Sequence, residues 1–235
     1  MFSFISRRLL IVATVFLSVG ALTACGDKEP EQRKAFIEFL QKDVIPRAPN
    51  VIYMKDEQKK AFGPYADHYQ LILDFNTTQN ETTSVMNKFS ALRSKMTNMQ
   101  GIQQNWKEIS ELRNVLMNKV IADLKVNLEK IKGQVAALKQ PDDLKPVFAE
   151  AFSKSVEMPA SLFANAAPAI DTTMQALEAL GKFLDDNKSK LTISGMTVNT
   201  NDNKLRAELQ TLMNTYNQSA MALLQAMKPL MSMGR

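Results

Sequence analysis

The sequence is poor in the residues on which many protein chemistries depend. The 235 residues include one cysteine, one histidine and eight glycines. A lone cysteine excludes an intrachain disulfide, and one Cys with one His cannot form a Cys/His zinc site, which needs about four ligands. None of the glycines lies in the patterns that cradle phosphates in nucleotide-binding loops. We therefore expect no cofactor and no metal.

The charge gives no sign of a nucleic-acid-binding protein. The formal net charge is +5, and 23% of residues are charged. Lysine and arginine are spread along the chain among acidic residues, with Lys59 and Lys60 forming one of the few basic pairs. This distribution is typical of a solvated surface rather than of a basic patch for nucleic acid.

The N-terminus has the pattern of an export signal. Arg7 and Arg8 precede an uncharged, mostly apolar run over 9–22, LLIVATVFLSVGAL, which is too short for a typical membrane-spanning helix. Leu22-Thr23-Ala24-Cys25 follows and resembles the bacterial lipobox, with the only cysteine at the position that this motif requires. The sequence predicts a signal peptide over 1–24, cleavage between Ala24 and Cys25, and lipidation of Cys25.

The lipobox resemblance implies where the mature protein resides. Lipid chains on Cys25 would hold the protein to a membrane, since each buried methylene contributes about 0.8 kcal/mol. Gly26, rather than an aspartate, follows the cysteine. By analogy with enterobacterial sorting, this favours the inner leaflet of the outer membrane, facing the periplasm, over the inner membrane.

Apolar residues recur at helical spacing through most of the mature chain. The clearest run extends from Trp106 to Leu138, with a mean apolar step of about 3.6 residues. Further helices are predicted over 27–45, from Asp56 as N-cap, within 144–156, over 159–186 and from Asn201–Asn203 to Pro229. Gly63-Pro64 suggests a kink or a late start, Gly101 a turn, and Pro168 a kink or a split.

One short segment alternates in the manner of strands. Residues 191–198 read LTISGMTV, which predicts a small β-hairpin about Ser194-Gly195. The fold class is therefore mostly all-α, a multi-helix bundle with long amphipathic helices and one hairpin near 191–200. We expect residues 25–235 to form a single periplasmic domain, in which 25–54 are the membrane-proximal tether and first helix.

The remaining candidate residues favour structural roles. In a catalytic interpretation, His68 would be a general base oriented by a carboxylate. Its neighbour Asp67 points in another direction on a helix and cannot orient it, so a surface or boundary histidine is favoured. Glu108 and Glu111 fit a solvated helical face better than an acid/base pair. Five methionines between Met213 and Met233 fit a core and a frayed tail better than a soft-metal site.

Three segments together resemble a known family. They are CGDKEPEQRKAFIEFL at 25–40, QKKAFGP at 58–64 and DLKPVF at 143–148. They are similar to the YiaF-like family of enterobacterial lipoproteins, which is defined by a domain of unknown function. The resemblance implies an exported, largely helical lipoprotein and carries over no catalytic residue.

These observations favour a non-enzymatic, lipid-anchored envelope protein that serves as a structural or interaction module, with the membrane and an envelope protein as partners. An alternative is a periplasmic carrier that holds an apolar or metal ligand within the bundle. A hydrolase using His68 is a third hypothesis.

Overall fold

The computed structural model describes residues 28–233, and within them the chain is almost entirely helical. The expected class, mostly all-α with one hairpin, is confirmed. The α-helices are α1 Glu29–Phe39, α2 Asp56–Phe62, α3 Tyr65–Thr77, α4 Asn80–Lys95, α5 Met99–Val115, α6 Ile121–Ala136, α7 Leu144–Phe152, α8 Met158–Asp186 and α9 Asn203–Ser232.

Within residues 28–233, three π turns and two 3-10 turns extend or join these helices. The π turns are Leu40–Val44, Leu116–Val120 and Ser153–Glu157, and the 3-10 turns are Ile45–Arg47 and Lys188–Lys190. Two of the π turns join α5 to α6 and α7 to α8 directly. The helices expected within 144–156 and over 159–186 are therefore parts of one continuous helix, because an inserted π turn changes the register without ending the helix.

The apolar side chains form two clusters. The first core is built from α1, α2, α3, α7, α6 from Leu124 onward and the start of α8, and includes Phe36, Tyr69 and Phe148. The second core is built from α4, α5, the rest of α8 and α9, and includes Leu92, Ile109 and Leu180. The two long continuous helices pass through both cores.

The hairpin consists of β1 Thr192–Ser194 and β2 Thr197–Asn199, antiparallel, with Ile193 opposite Val198. Both of these side chains pack against the second core. The turn is at Gly195-Met196, one residue later than expected, and the backbone N–H of Met99 donates to the Gly195 carbonyl at 3.0 Å. The hairpin therefore rests on the start of α5, as a two-stranded sheet requires for stability.

Two prolines expected to interrupt or end helices lie within them. Pro168 is inside α8 and Pro229 inside α9, and both are exposed. A proline removes one backbone hydrogen bond. In α8 that cost is offset because Ala166, Ala167 and Ile170 around Pro168 are buried in the second core.

Two helix starts also differ from the sequence-based expectation. Gly101 lies in the first turn of α5 and not in a connection, because Asn98 caps the helix and accepts from the Gly101 N–H at 2.8 Å. Lys55, not Asp56, is the N-cap of α2, and the Gln58 side chain accepts from its N–H at 2.9 Å.

Other expected local features are confirmed. The break at Gly63-Pro64 separates α2 from α3, and Gly63 adopts φ +55°, a conformation that glycine reaches at little cost. Asp202 caps α9 by accepting from the backbone N–H groups of Lys204 and Leu205.

Candidate functional site

An apolar cavity lies in the second core, where α4, α5, α8 and α9 meet. Its volume is about 100 Å³. Met86 on its wall is 40% exposed, so the cavity is open on one side. We call it the bundle cavity, and its lining is Val85, Met86, Phe89, Leu112, Leu116, Phe163, Ile170, Leu223 and Met227.

Helical spacing brings these side chains to the cavity. Leu112 and Leu116 are one turn apart across the end of α5, and Leu223 and Met227 are one turn apart on α9. No charged or polar side chain is present in the lining. A cavity of this composition favours an apolar occupant over water, which needs polar partners.

Two polar contacts fix the helices around the cavity. Arg113 Nε donates to Asp171 at 2.7 Å, and its guanidinium lies 3.6 Å from Glu178, so α5 is tied to α8. Thr173 Oγ1 donates to the Ser219 carbonyl at 3.0 Å, which ties α8 to α9 in a buried position. These contacts lie beside the cavity and hold three of its four helices.

Ala24 and Cys25, the expected cleavage and lipidation residues, lie outside the described residues. The first helix begins at Glu29, four residues after Cys25. Four residues of fully extended chain span at most about 14 Å.

His68 is a half-buried residue at the edge of the first core, in agreement with the boundary role. Gln140 Nε2 lies 3.2 Å from His68 Nδ1 and donates to it when the imidazole is neutral with its proton on Nε2. The ring meets Tyr65 and Phe148 edge to face. Burial lowers the pKa of His68 below its ordinary value, although Asp67 opposes the shift.

The carboxylate and methionine candidates are dispersed. Glu108 pairs with Lys95 at 2.8 Å and Glu111 is exposed, as a solvated face requires. Of the five C-terminal methionines, Met213 and Met227 pack against the second core, whereas Met221 and Met231 are more than half exposed. The core interpretation therefore holds for Met213 and Met227 and is wrong for Met221, whereas Met231, expected in a frayed tail, is exposed in the last turn of α9.

The described residues were compared with the requirements of a metal site and of a membrane-spanning helix. Within residues 28–233, no three side chains of the types His, Cys, Asp and Glu come together as a metal site requires. In the same range, no helix has the length and apolar character needed to cross a membrane.

Comparison with known proteins identifies the family. The family described as "Protein of unknown function (DUF3053)" matches residues 12–231. This chain belongs to the DUF3053 family. The expected YiaF-like relationship is confirmed, since the chain is 32% identical over 217 residues to "Uncharacterized protein YiaF" of Escherichia coli strain K12, covering 86% of this chain and 89% of the relative.

Proteins of the same name from Escherichia coli O157:H7 and Shigella flexneri match this DUF3053 member with the same identity and coverage. No solved structure matches.

The sequence did not identify the cavity-lining residues as a site. Their helical spacing indicates only that they lie on apolar helix faces. Phe163 lies in α8 and packs against both cores. The sequence analysis gives no role to Ser155, a buried residue, although Phe148, Phe152, Ser155 and Val156 have the spacing of one buried helical face. A serine on such a face was the available signal.

Proposed function

We propose that this protein is a non-enzymatic, lipid-anchored protein of the bacterial envelope whose helical bundle carries an apolar ligand. The lipobox over 22–25 supports the anchor, and the bundle cavity supports the ligand. In this proposal Cys25 carries the lipid, and the domain faces the periplasm from the inner leaflet of the outer membrane. With a lipid on Cys25, α1 would begin only four residues from the membrane anchor.

The anchor is tested by metabolic labelling in the intact bacterium. Wild-type protein should incorporate labelled palmitate and fractionate with outer membranes, whereas Cys25→Ser should do neither. Lipid attachment at Cys25 is wrong if the wild-type protein takes up no label and the variant remains with the membranes.

The bundle cavity carries the ligand part of the proposal. A closed apolar cavity of about 150 Å³ takes up benzene, and the bundle cavity is of the same order and open to solvent at Met86. The lining offers two thioethers, from Met86 and Met227, and no carboxylate, imidazole or thiolate, so we expect the cavity to bind an apolar group in preference to a metal ion.

Benzene binding tests this cavity directly. The probe is residues 25–235 with Cys25→Ser, purified without detergent and labelled with ¹³C at the methionine methyls. Benzene should shift the Met86 and Met227 methyl signals saturably, since both residues line the cavity, and should leave exposed Met221 unchanged.

Neighbouring leucines provide a matched pair of variants. Leu223→Phe should fill the cavity and abolish the shifts, whereas Leu224→Phe should preserve them because Leu224 does not line the cavity and is 55% exposed. Circular dichroism shows whether both variants are folded. Equal benzene binding by both folded variants would contradict the proposal.

The interaction module remains a second candidate, favoured by apolar residues exposed on α9. Met221, Leu224 and Met231 are each more than half exposed. Variants of two adjacent residues can distinguish the two functions. A carrier depends on Leu223, which lines the cavity, whereas an interaction module that uses the exposed face depends on Leu224. Comparing the cellular effects of Leu223→Phe and Leu224→Gln discriminates between them.

A further inference from the structure

A second cavity lies next to the bundle cavity, on the other side of Phe163. Its volume is about 190 Å³. It is bounded by Phe75 at the end of α3, Leu124 of α6, the π turn Ser153–Glu157 and the start of α8. Phe163 lines both cavities, is only half-buried and packs against both cores. We call this second space the Ser155 cavity.

Ser155 in its wall has an unpartnered hydroxyl. The residue is 5% exposed, and within residues 28–233 its Oγ is the only buried side-chain oxygen or nitrogen that lacks a hydrogen-bond partner. An unsatisfied buried polar group costs free energy and calls for an explanation such as a ligand.

Several serine hydroxyl groups elsewhere in these helices donate to a carbonyl of their own helix. Ser94 donates to the Ala91 carbonyl at 2.7 Å, and Ser219 donates to the Tyr216 carbonyl at 2.8 Å. Ser155 lies in the middle of a π turn, where the backbone departs from α-helical geometry, and π turns are frequent at functional sites. Its hydroxyl is therefore left for a partner from outside its own helix.

The other polar groups in the wall are already engaged. Asn76 Nδ2 donates to the Ile72 carbonyl at 2.8 Å, and Gln79 Oε1 accepts from Thr82 at 3.1 Å. No charged side chain lines the cavity. The cavity is open to solvent on one side, and Ser155 lies on its buried side. A charged group bonded to the Ser155 hydroxyl would lose hydration on that side without gaining a counter-ion, which is unfavourable. The cavity therefore suits an uncharged group that forms one hydrogen bond.

We propose, resting on the ligand-carrier function above, that the natural ligand is a single-chain amphiphile with an uncharged hydroxyl or carbonyl head. Its head bonds Ser155 Oγ in the Ser155 cavity, and its apolar chain passes Phe163 into the bundle cavity. The geometry thus combines the only unsatisfied buried hydroxyl of the described residues with the adjoining apolar space.

Octan-1-ol and octanoate are the probes, titrated into the detergent-free protein with Cys25→Ser and followed at the Met86 and Met227 methyls. Octan-1-ol should bind at least tenfold more tightly than octanoate. Ser155→Ala should lower the affinity for octan-1-ol about three- to tenfold, as expected for the loss of one hydrogen bond, and should leave the affinity for benzene unchanged. Ser153→Ala, in the same π turn but not in the cavity wall, is the control and should bind like the parent.

The outcomes separate the two proposals. If neither octan-1-ol nor benzene shifts the two methyl signals, the carrier function fails and this inference with it. If benzene binds but Ser155→Ala leaves the affinity for octan-1-ol unchanged, the head-group assignment alone is overturned. Octanoate binding as tightly as octan-1-ol overturns the uncharged head.

Discussion

His68 shows how the first core controls the state of a single residue. Its ring lies against Tyr65 and Phe148, with Gln140 at Nδ1. Burial favours the neutral imidazole and lowers its pKa in the folded protein. This environment makes His68 a structural residue whose protonation opposes folding.

We predict that the free energy of unfolding falls as the pH is lowered from 7 to 5. Below about pH 6.5 the unfolded chain takes up a proton on His68 that the folded chain resists, so the stabilisation present above that pH is lost. Urea denaturation across this range measures the slope. Because the sequence has one histidine, His68→Gln should make the free energy of unfolding less dependent on pH in this range. An unchanged slope in that variant would show that His68 is not the cause of the pH dependence.

At the scale of elements, the close approach of α5 and α8 depends on Gly181. A Cβ at this position would lie 2.6 Å from Trp106 Cβ and 2.8 Å from the Ile102 carbonyl oxygen. A larger residue would force apart two helices that form walls of the bundle cavity. Arg113 then ties the same two helices at Asp171.

Gly181→Ala should therefore lower the free energy of unfolding by about 1–3 kcal/mol through overpacking. Gly133→Ala in α6 is the matched control, since a Cβ there meets nothing within 4 Å. It should raise stability by about 0.5–1 kcal/mol, because alanine is the better helix residue. Denaturant titration of both variants gives the comparison, and equal effects would contradict the close packing of α5 on α8.

The helices themselves were predictable, but their irregularities were only partly so. Apolar spacing predicted α5–α6 and α8 because one face of each is buried. Leu112, Leu116, Val120, Leu124 and Leu128 advance by four residues each time, which in an ideal α-helix rotates the stripe by about 160°. The π turn Leu116–Val120 takes up much of this drift. The interruption expected at Pro168 was wrong because local sequence preference does not include the burial of Ala166, Ala167 and Ile170 around it.

At the scale of the whole molecule, the proposed anchor and the proposed ligand site belong to different parts of the chain. The anchor precedes α1 of the first core, and the bundle cavity lies in the second core. The sequence pointed to Cys25 through its local motif. The cavity was not predictable, because it depends on how the neighbouring helices α4 and α5 are placed against α8 and α9, which come much later in the chain.

Native mass spectrometry tests the carrier claim most directly. Residues 25–235 with Cys25→Ser would be exported behind a cleavable secretory signal in the native bacterium and purified without detergent. The wild-type cavity should retain an apolar molecule seen as added mass, released by organic solvent, present in Leu224→Phe and absent from Leu223→Phe. The bare chain mass in all three proteins would contradict the account.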